Sequence, residues 1–271
     1  MRGQKYEEAK DVTALVLDDG WVLEQKLDGV RTMVHVLDGV VHFRGPMDEA
    51  ITFAAAAQWF EALRPALERL PHGAVLDAEL LIETGELWAF DLPYLPGWIK
   101  PTDELAQRRN ILEHLIPLMD SPLVRLVPQA VGTDEKVALL KAVEAAGAEG
   151  VVLKRLAAGY QVGQRTRNVL KHKFVKTMDV VITGRDNGGK NAELSLVRDG
   201  ELVVIGACSM IGKPDLQVGD VAEVAYLYLA DPNDPRLYQP RLMRERPDKR
   251  PSECEWRQTE GNFTSREVVT L

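Results

Sequence analysis

An α/β domain reaching to about residue 176, followed by a small all-β domain, is the fold class that the sequence predicts. Three observations carry it. Before Lys176, strand-like runs alternate with stretches of helical spacing. After Thr177, five strand-like runs follow one another between Gly-, Asn- and Asp-rich turns, with almost no helical pattern. The 271 residues are enough for two modest cores, and a composition of 45% apolar and 27% charged residues is that of an ordinary globular protein.

The elements justify themselves in order. Trp21–Lys26 and Val30–Phe43 read as β, with Asp38-Gly39 as a tight hairpin turn between apolar runs. Ala50 to Leu70 is rich in Ala and Leu at helical spacing, and Pro71 with Gly73 ends it. Val75–Ile82 and Leu87–Leu92 form a strand pair through Glu83-Thr84-Gly85. A helix is predicted near Asp103–Leu115 and a strand near Leu123–Val131. Thr133 can cap a helix running to Gly147, whose first turn carries Asp134 and Glu135. Val151–Leu153 and Val169–Phe174 are short buried strands. The last five runs are Val180–Arg185, Glu193–Val197, Leu202–Met210, Val221–Leu229 and Leu237–Glu245. Five such strands suit a small barrel of the OB type. The predicted domains are therefore 1–176 and 177–271.

Composition narrows the function classes. Cys208 and Cys254 are too few for a disulfide scaffold and lack zinc-site spacing. No N-terminal segment has the build of a secretory signal, and no run approaches a membrane span, so a cytoplasmic protein with no membrane partner is expected. The net charge of -8 speaks against nucleic acid until its distribution is read. Between Gly150 and Met178 there is no Asp or Glu, while Lys154, Arg155, Arg165, Arg167, Lys171, Lys173 and Lys176 are all basic. A second basic window holds Arg241, Arg244, Arg246, Lys249 and Arg250 against Glu245 and Asp248. Two such windows in an acidic chain suit a phosphate-binding surface, although either alone is equally well a solvated basic face.

Five segments can carry chemistry. In Glu24-Gln25-Lys26-Leu27-Asp28-Gly29-Val30-Arg31 a lysine ends an apolar strand before a tight turn. A lysine is a nucleophile only when its amine is partly neutral, a state that burial or neighbouring cations favour. A surface lysine beside a hairpin is the alternative. Asp77 and Glu79 alternate with apolar residues in Leu76–Leu80, and Glu149 opens Glu149-Gly150-Val151-Val152-Leu153-Lys154. Carboxylates this close to a core need compensation, which a magnesium–triphosphate complex or ordinary ion pairs could supply. Phe90, in Trp88-Ala89-Phe90-Asp91-Leu92, is either a base-stacking platform or core. Lys171 and Lys173 alternate on one strand, so they share a face that an anion would stabilise. Last comes the basic segment Pro240–Lys249.

Together, and in this order over residues 24 to 249, these segments resemble the motifs of the ATP-dependent DNA ligases, within the covalent nucleotidyltransferase superfamily. The family's order is Lys-x-Asp-Gly-x-Arg, Asp-Gly-Glu, an aromatic strand, Glu-Gly-x-x-x-Lys, Lys-x-Lys and a basic Arg-x-Asp-Lys segment in an OB domain. The resemblance implies a nucleotidyltransferase (adenylation) domain followed by an OB-fold barrel. It implies Lys26 as the adenylated nucleophile, Glu24 and Phe90 at the adenine, and Arg31 and Arg44 at the nucleotide or nick phosphate. It further implies Glu79 and Glu149 near the ribose and a Mg2+ or Mn2+ ion, and Lys171 and Lys173 at the α-phosphate. Arg246, Asp248 and Lys249 would orient the leaving pyrophosphate. Asp28, Arg31, Arg44, Lys154, Arg165, Arg167 and Lys176 are the expected nucleic-acid contacts.

The implied activity is sealing of nicked duplex DNA with ATP through a lysyl-AMP, by a monomer, in repair, replication or recombination. The second domain would swing about a hinge at Lys176-Thr177. RNA ligases, ligases joining RNA to DNA and guanylyl-transferring capping enzymes share the pattern, and a catalytically silent OB protein is the rival outside it. The chain departs from the pattern at Ala78, at Phe43-Arg44-Gly45 in place of Ser-Arg-Asn, and at Val169 in place of tryptophan. With 25 residues before Lys26, an additional N-terminal DNA-binding domain is not expected, as in the minimal ligases of viruses and bacteria.

Overall fold

In the computed structural model, which describes residues 1–264 and 267–270, the chain divides into two compact units. The first holds Met1–Val143, Gly150–His172 and a last stretch starting at Val268; the second holds Glu144–Glu149 and Lys173–Glu267.

The first unit begins with β1 (Lys5–Glu8), a short α1 (Thr13–Val16), β2 (Trp21–Gln25), β3 (Val30–Leu37) and β4 (Val40–Arg44). Asp38 and Gly39 both take positive φ, 51° and 76°, as the predicted two-residue hairpin requires. The single helix expected from Ala50 to Leu70 is instead two, α2 (Ala54–Ala57) and α3 (Phe60–Leu67). Trp59 accounts for the break. Its indole N–H donates to the Ile82 carbonyl at 2.9 Å. Its ring lies so close to Gly85 that a Cβ there would come within 2.3 Å of it. Tertiary anchoring of this one side chain overrides helical propensity.

Next come β5 (Val75–Leu80), β6 (Leu87–Tyr94) and α4 (Leu105–Leu118), which opens on a capping box between Glu104 and Gln107. The one strand predicted over 123–131 is two, β7 (Val124–Leu126) and β8 (Gln129–Ala130), split at Pro128, which has no N–H for a ladder. After α5 (Thr133–Ala145) come β9 (Gly150–Arg155) and β10 (Arg165–Lys173). Two five-stranded sheets result, in the orders β1-β10-β9-β2-β8 and β4-β3-β5-β6-β7. Leu63, Leu67, Leu76, Leu80, Leu87, Leu92 and Leu112 make the core of the second of these sheets and its helices.

The turn at Leu27-Asp28-Gly29 is thus no hairpin. It carries the chain from β2 in one sheet to β3 in the other, and the β7–Pro128–β8 segment makes the same passage in reverse. The seam between the two sheets brings Glu24, Lys26, Arg31, Glu79, Phe90 and Lys154 together.

The second unit contains β11 (Lys176–Asp186), β12 (Asn191–Arg198), β13 (Glu201–Ser209), β14 (Val221–Tyr226) and β15 (Arg241–Glu245), all antiparallel, in the order β13-β12-β11-β14-β15. Val180, Ile182, Leu194, Leu196, Val224 and Leu242 are fully buried in its core. Among the described residues no ladder joins β13 to β15, so the sheet is open rather than the closed barrel expected. The run predicted as one strand from Leu237 to Glu245 explains the difference. Gln239 has a φ of 51° and Pro240 follows, so only Arg241–Glu245 is strand. Leu237 instead gives its N–H to Ile205 of β13 at 2.8 Å. Among the described residues no helix is long and apolar enough to cross a membrane.

Candidate active site

A cleft of about 390 Å³, open to solvent, lies at the seam of the first unit. Tyr6 of β1, Glu24 and Gln25 of β2, Lys26 and Leu27 of the crossing, Arg31 of β3 and Glu79 of β5 line it. Phe90 of β6, Val127, and Val152 and Lys154 of β9 complete it. Of the residues singled out by sequence, it therefore unites Lys26, Glu24, Arg31, Glu79, Phe90 and Lys154.

Lys26 is half-buried and follows directly on β2, with its main-chain N–H donating to the Gly150 carbonyl at 2.9 Å. That bond continues the β2–β9 pairing one residue further and fixes where the side chain starts. Gly29 makes the crossing possible. A Cβ on it would sit 2.4 Å from the Leu80 carbonyl oxygen, a main-chain atom that cannot step aside. Gly29→Ala is therefore expected to cost about 1–3 kcal/mol as overpacking, read as a lower urea midpoint; an unchanged midpoint would refute the tight crossing.

Arg31 is committed within the protein. It makes a two-pronged pair with the buried Asp77, Nε to Oδ1 at 2.9 Å and Nη2 to Oδ2 at 2.6 Å, and donates to the Gln4 carbonyl at 2.8 Å. Burial works against its charge, but Asp77 and then the phenol of Tyr6 more than offset this and hold its pKa above the ordinary value. Its guanidinium lies 4.7 Å from the Tyr6 ring centroid and 5.6 Å from that of Phe90. Tyr160 donates to Asp77 Oδ2 at 2.6 Å. Burial, with Asp77 beside it, raises the Tyr160 phenol, and burial raises that of Tyr6.

Lys154 corrects an expectation. Read from sequence as a nucleic-acid contact, it is 1% exposed. Its Nζ lies 2.6 Å from Glu24 Oε2 and donates to the Phe90 carbonyl at 2.9 Å. An ammonium this deep is placed where a carboxylate compensates it, and so cannot reach a backbone phosphate. Arg44 ends β4 outside the residues lining the cleft. Asp28 is half-buried in the crossing, Lys171 half-buried in β10, and Arg165 and Arg167 are exposed at its start, Arg167 3.4 Å from Glu7.

The other predicted residues belong to the second unit. Glu149 is buried and pairs with Lys173 at 2.9 Å. Arg246 Nη1 donates to Asp179 Oδ1 at 2.8 Å and its other nitrogens bind Asp248, while Lys249 also pairs with Asp179. The Arg246 bonds hold the Asp248 carboxyl down to about 2. Partial burial lowers the Lys176 amine. Among the described residues no three His, Cys, Asp or Glu side chains cluster as a metal cage.

Sequence reading passed over Tyr6, Gln129, Arg109 and Tyr160. Only Asp77 carried a signal, as a carboxylate on an apolar strand.

Residues 83–173 match the family model described as the ATP dependent DNA ligase domain. The chain is 29% identical over 196 residues to the multifunctional non-homologous end joining protein LigD of Mycobacterium bovis, covering 64% of this chain and 24% of that protein. It is 39% identical over 199 residues to a DNA ligase of Haloferax volcanii, covering 63% and 34%. It thus spans about a quarter to a third of the length of these relatives. A solved mycobacterial DNA ligase D complexed with ATP and MES superposes with a TM-score of 0.58 at 25% identity, covering 94% of this chain and 97% of that one. A Lig E DNA ligase shares the fold at a TM-score of 0.63 and 18% identity, covering 91% and 99%. With Lys26, Glu24, Glu79 and Phe90 gathered in one cleft, the chain is similar in sequence and in fold to the ATP-dependent DNA ligases.

Proposed function

We propose that this protein seals 5′-phosphate/3′-hydroxyl nicks in duplex DNA, using ATP through an adenylate on Lys26. The observation that carries the reading is the meeting of Lys26, Glu24, Glu79 and Phe90 in one cleft, at the crossing between two sheets. The deprotonated Lys26 amine attacks the α-phosphorus of ATP. An N–P bond forms, the bond between α-phosphorus and bridging oxygen breaks, and pyrophosphate leaves with the electron pair. A 5′-phosphate oxygen then displaces Lys26 from the adenylate. The 3′-hydroxyl oxygen, losing its proton, finally attacks the 5′-phosphorus and expels AMP. Each step is an in-line displacement in which position and charge neutralisation dominate.

In this reading Phe90 stacks on the base, whose edge Glu24 meets, and Arg31, braced by Asp77, orients the nucleotide. Lys171 and Lys173 serve the α-phosphate, Arg246 and Lys249 the pyrophosphate, and Asp28, Arg44, Arg165, Arg167 and Lys176 the nucleic acid. Glu79 and Glu149 are carboxylates, each of the kind that can hold magnesium alongside phosphate oxygens. When bound, such an ion would neutralise developing charge on the phosphoryl oxygens. The ligase fold's second domain is an OB fold, and the antiparallel five-stranded sheet that starts at Lys176 supports that assignment.

The test is incubation with α-labelled ATP and magnesium. Acid-labile label is expected on the wild-type protein and none on Lys26→Ala; equal labelling of both would sink the covalent reading. Nicked duplexes with DNA or RNA on either side then decide the substrate, with the DNA nick expected to be sealed fastest.

A further inference from the structure

Glu24, 2% exposed, is held from three elements. Gln129 of β8 donates to its Oε1 at 2.8 Å, Lys154 of β9 reaches Oε2 at 2.6 Å, and Arg109 of α4 brings Nη1 to 4.0 Å from Oε1. Arg109 is itself fixed, donating to Glu113 at 2.8 Å and to the carbonyl of Val127 at 2.9 Å. Lys154 does more than compensate a charge. Its Nζ donates to the Phe90 carbonyl at 2.9 Å and stands 4.6 Å from the centroid of the Phe90 ring. One buried ammonium therefore fixes both a carboxylate and an aromatic face lining the same cleft. An isolated carboxylate at this depth would turn toward solvent or take up a proton.

We propose that Lys154 is a positioning residue that sets purine choice, locking Glu24 as a hydrogen-bond acceptor at the edge of a base stacked on Phe90. The proposal rests on the cleft being a nucleotide site. A carboxylate only accepts hydrogen bonds. The 6-amino group of adenine donates to it, whereas the 6-oxygen of guanine would face it with both acceptors unpaired, which costs affinity. Gln129 and Arg109 keep the carboxylate from rotating away, but Lys154 alone ties it to Phe90.

The experiment measures covalent labelling by α-labelled ATP and GTP in wild type, K154Q and K154R. The wild-type protein is expected to prefer ATP by at least about tenfold. K154Q should lose most of that preference through a raised KM for ATP with kcat little changed, and K154R, which keeps a cation, should restore part of it. Should K154Q fail to melt cooperatively, K154M, which leaves Glu24 in place, is read instead with the same expectation. Wild type labelled equally by ATP and GTP, or a Lys154 variant that keeps the full preference, overturns the proposal while leaving nucleotidyl transfer standing. Wild type labelled by neither overturns the nucleotide reading and this proposal with it.

Discussion

Lys26→Arg is expected to lower sealing of a 5′-phosphate nick by at least about 10³-fold, yet to leave sealing of a nick whose 5′ end already carries AMP within about tenfold of wild type. The substitution keeps a positive charge in the cleft and removes only the capacity to be a neutral amine, since an arginine does not deprotonate in proteins. Electrostatic attraction of nucleotide and nick should therefore survive. What disappears is the N–P bond. Lys26 suits so clean a separation because its backbone is pinned by the bond to Gly150 and followed by the rigid crossing at Gly29, so the longer side chain has no strand to displace. Gel assays on the two nicks under identical conditions make the comparison. A parallel loss on both substrates would show that the lysine serves binding, and label on the arginine variant would show that another group is the nucleophile.

Much of this site was legible in the sequence because its residues sit in short, regular strands. The Lys26 segment, Glu79 and Phe90 each lie where an apolar run ends or alternates, which makes them candidates, and the order of the segments, through the family resemblance, singles them out. The hairpin at Asp38-Gly39 was equally plain, since two consecutive positive-φ positions leave little choice of residue. What was not legible depends on pairing between distant segments. Nothing local says that β2 and β3 belong to different sheets, because a tight crossing and a tight hairpin use the same residues. Nothing local says that Trp59 will reach over Gly85 and cut a helix in two. Lys154 shows the same limit in the site itself. In an acid-free window it reads as one more surface cation, and only the partner 130 residues earlier in the chain, Glu24, turns it inward. Tyr6, too, is placed by a parallel pairing of β1 with β10 that no short window of sequence reveals.

Behind the cleft, Arg108→Leu is expected to destabilise the protein by about 3–5 kcal/mol, the cost of leaving a buried charge without its partner. Arg108 and Asp91 are each 2% exposed and form a two-pronged pair, Nε to Oδ1 at 2.7 Å and Nη2 to Oδ2 at 3.0 Å. The remaining nitrogen, Nη1, donates to the carbonyls of Asp103 at 2.6 Å and Ala158 at 3.1 Å, so one side chain ties β6, the start of α4 and the loop after β9. Burial alone would raise the Asp91 carboxyl, but the charge and hydrogen bonds of Arg108, with Lys154, prevail and hold it below the usual range. A carboxyl depressed in the folded state binds its proton more readily once unfolded. Its contribution is therefore complete above the unfolded carboxyl range, near about 3.9, and is lost as pH falls through the lower folded value. In Arg108→Leu the sign reverses, because burial without the guanidinium favours the protonated acid. The stability gap between variant and wild type should thus be widest at neutral pH and narrow below about pH 4. Urea unfolding at pH 7, 5 and 4 reads this directly. D91L/R108L, which removes both charges, should recover most of the loss, since a buried pair replaced by apolar groups of similar volume is often tolerated. A single variant that loses less than about 1 kcal/mol, or a gap that widens with acid, would mean the pair is not what holds Phe90's strand against α4.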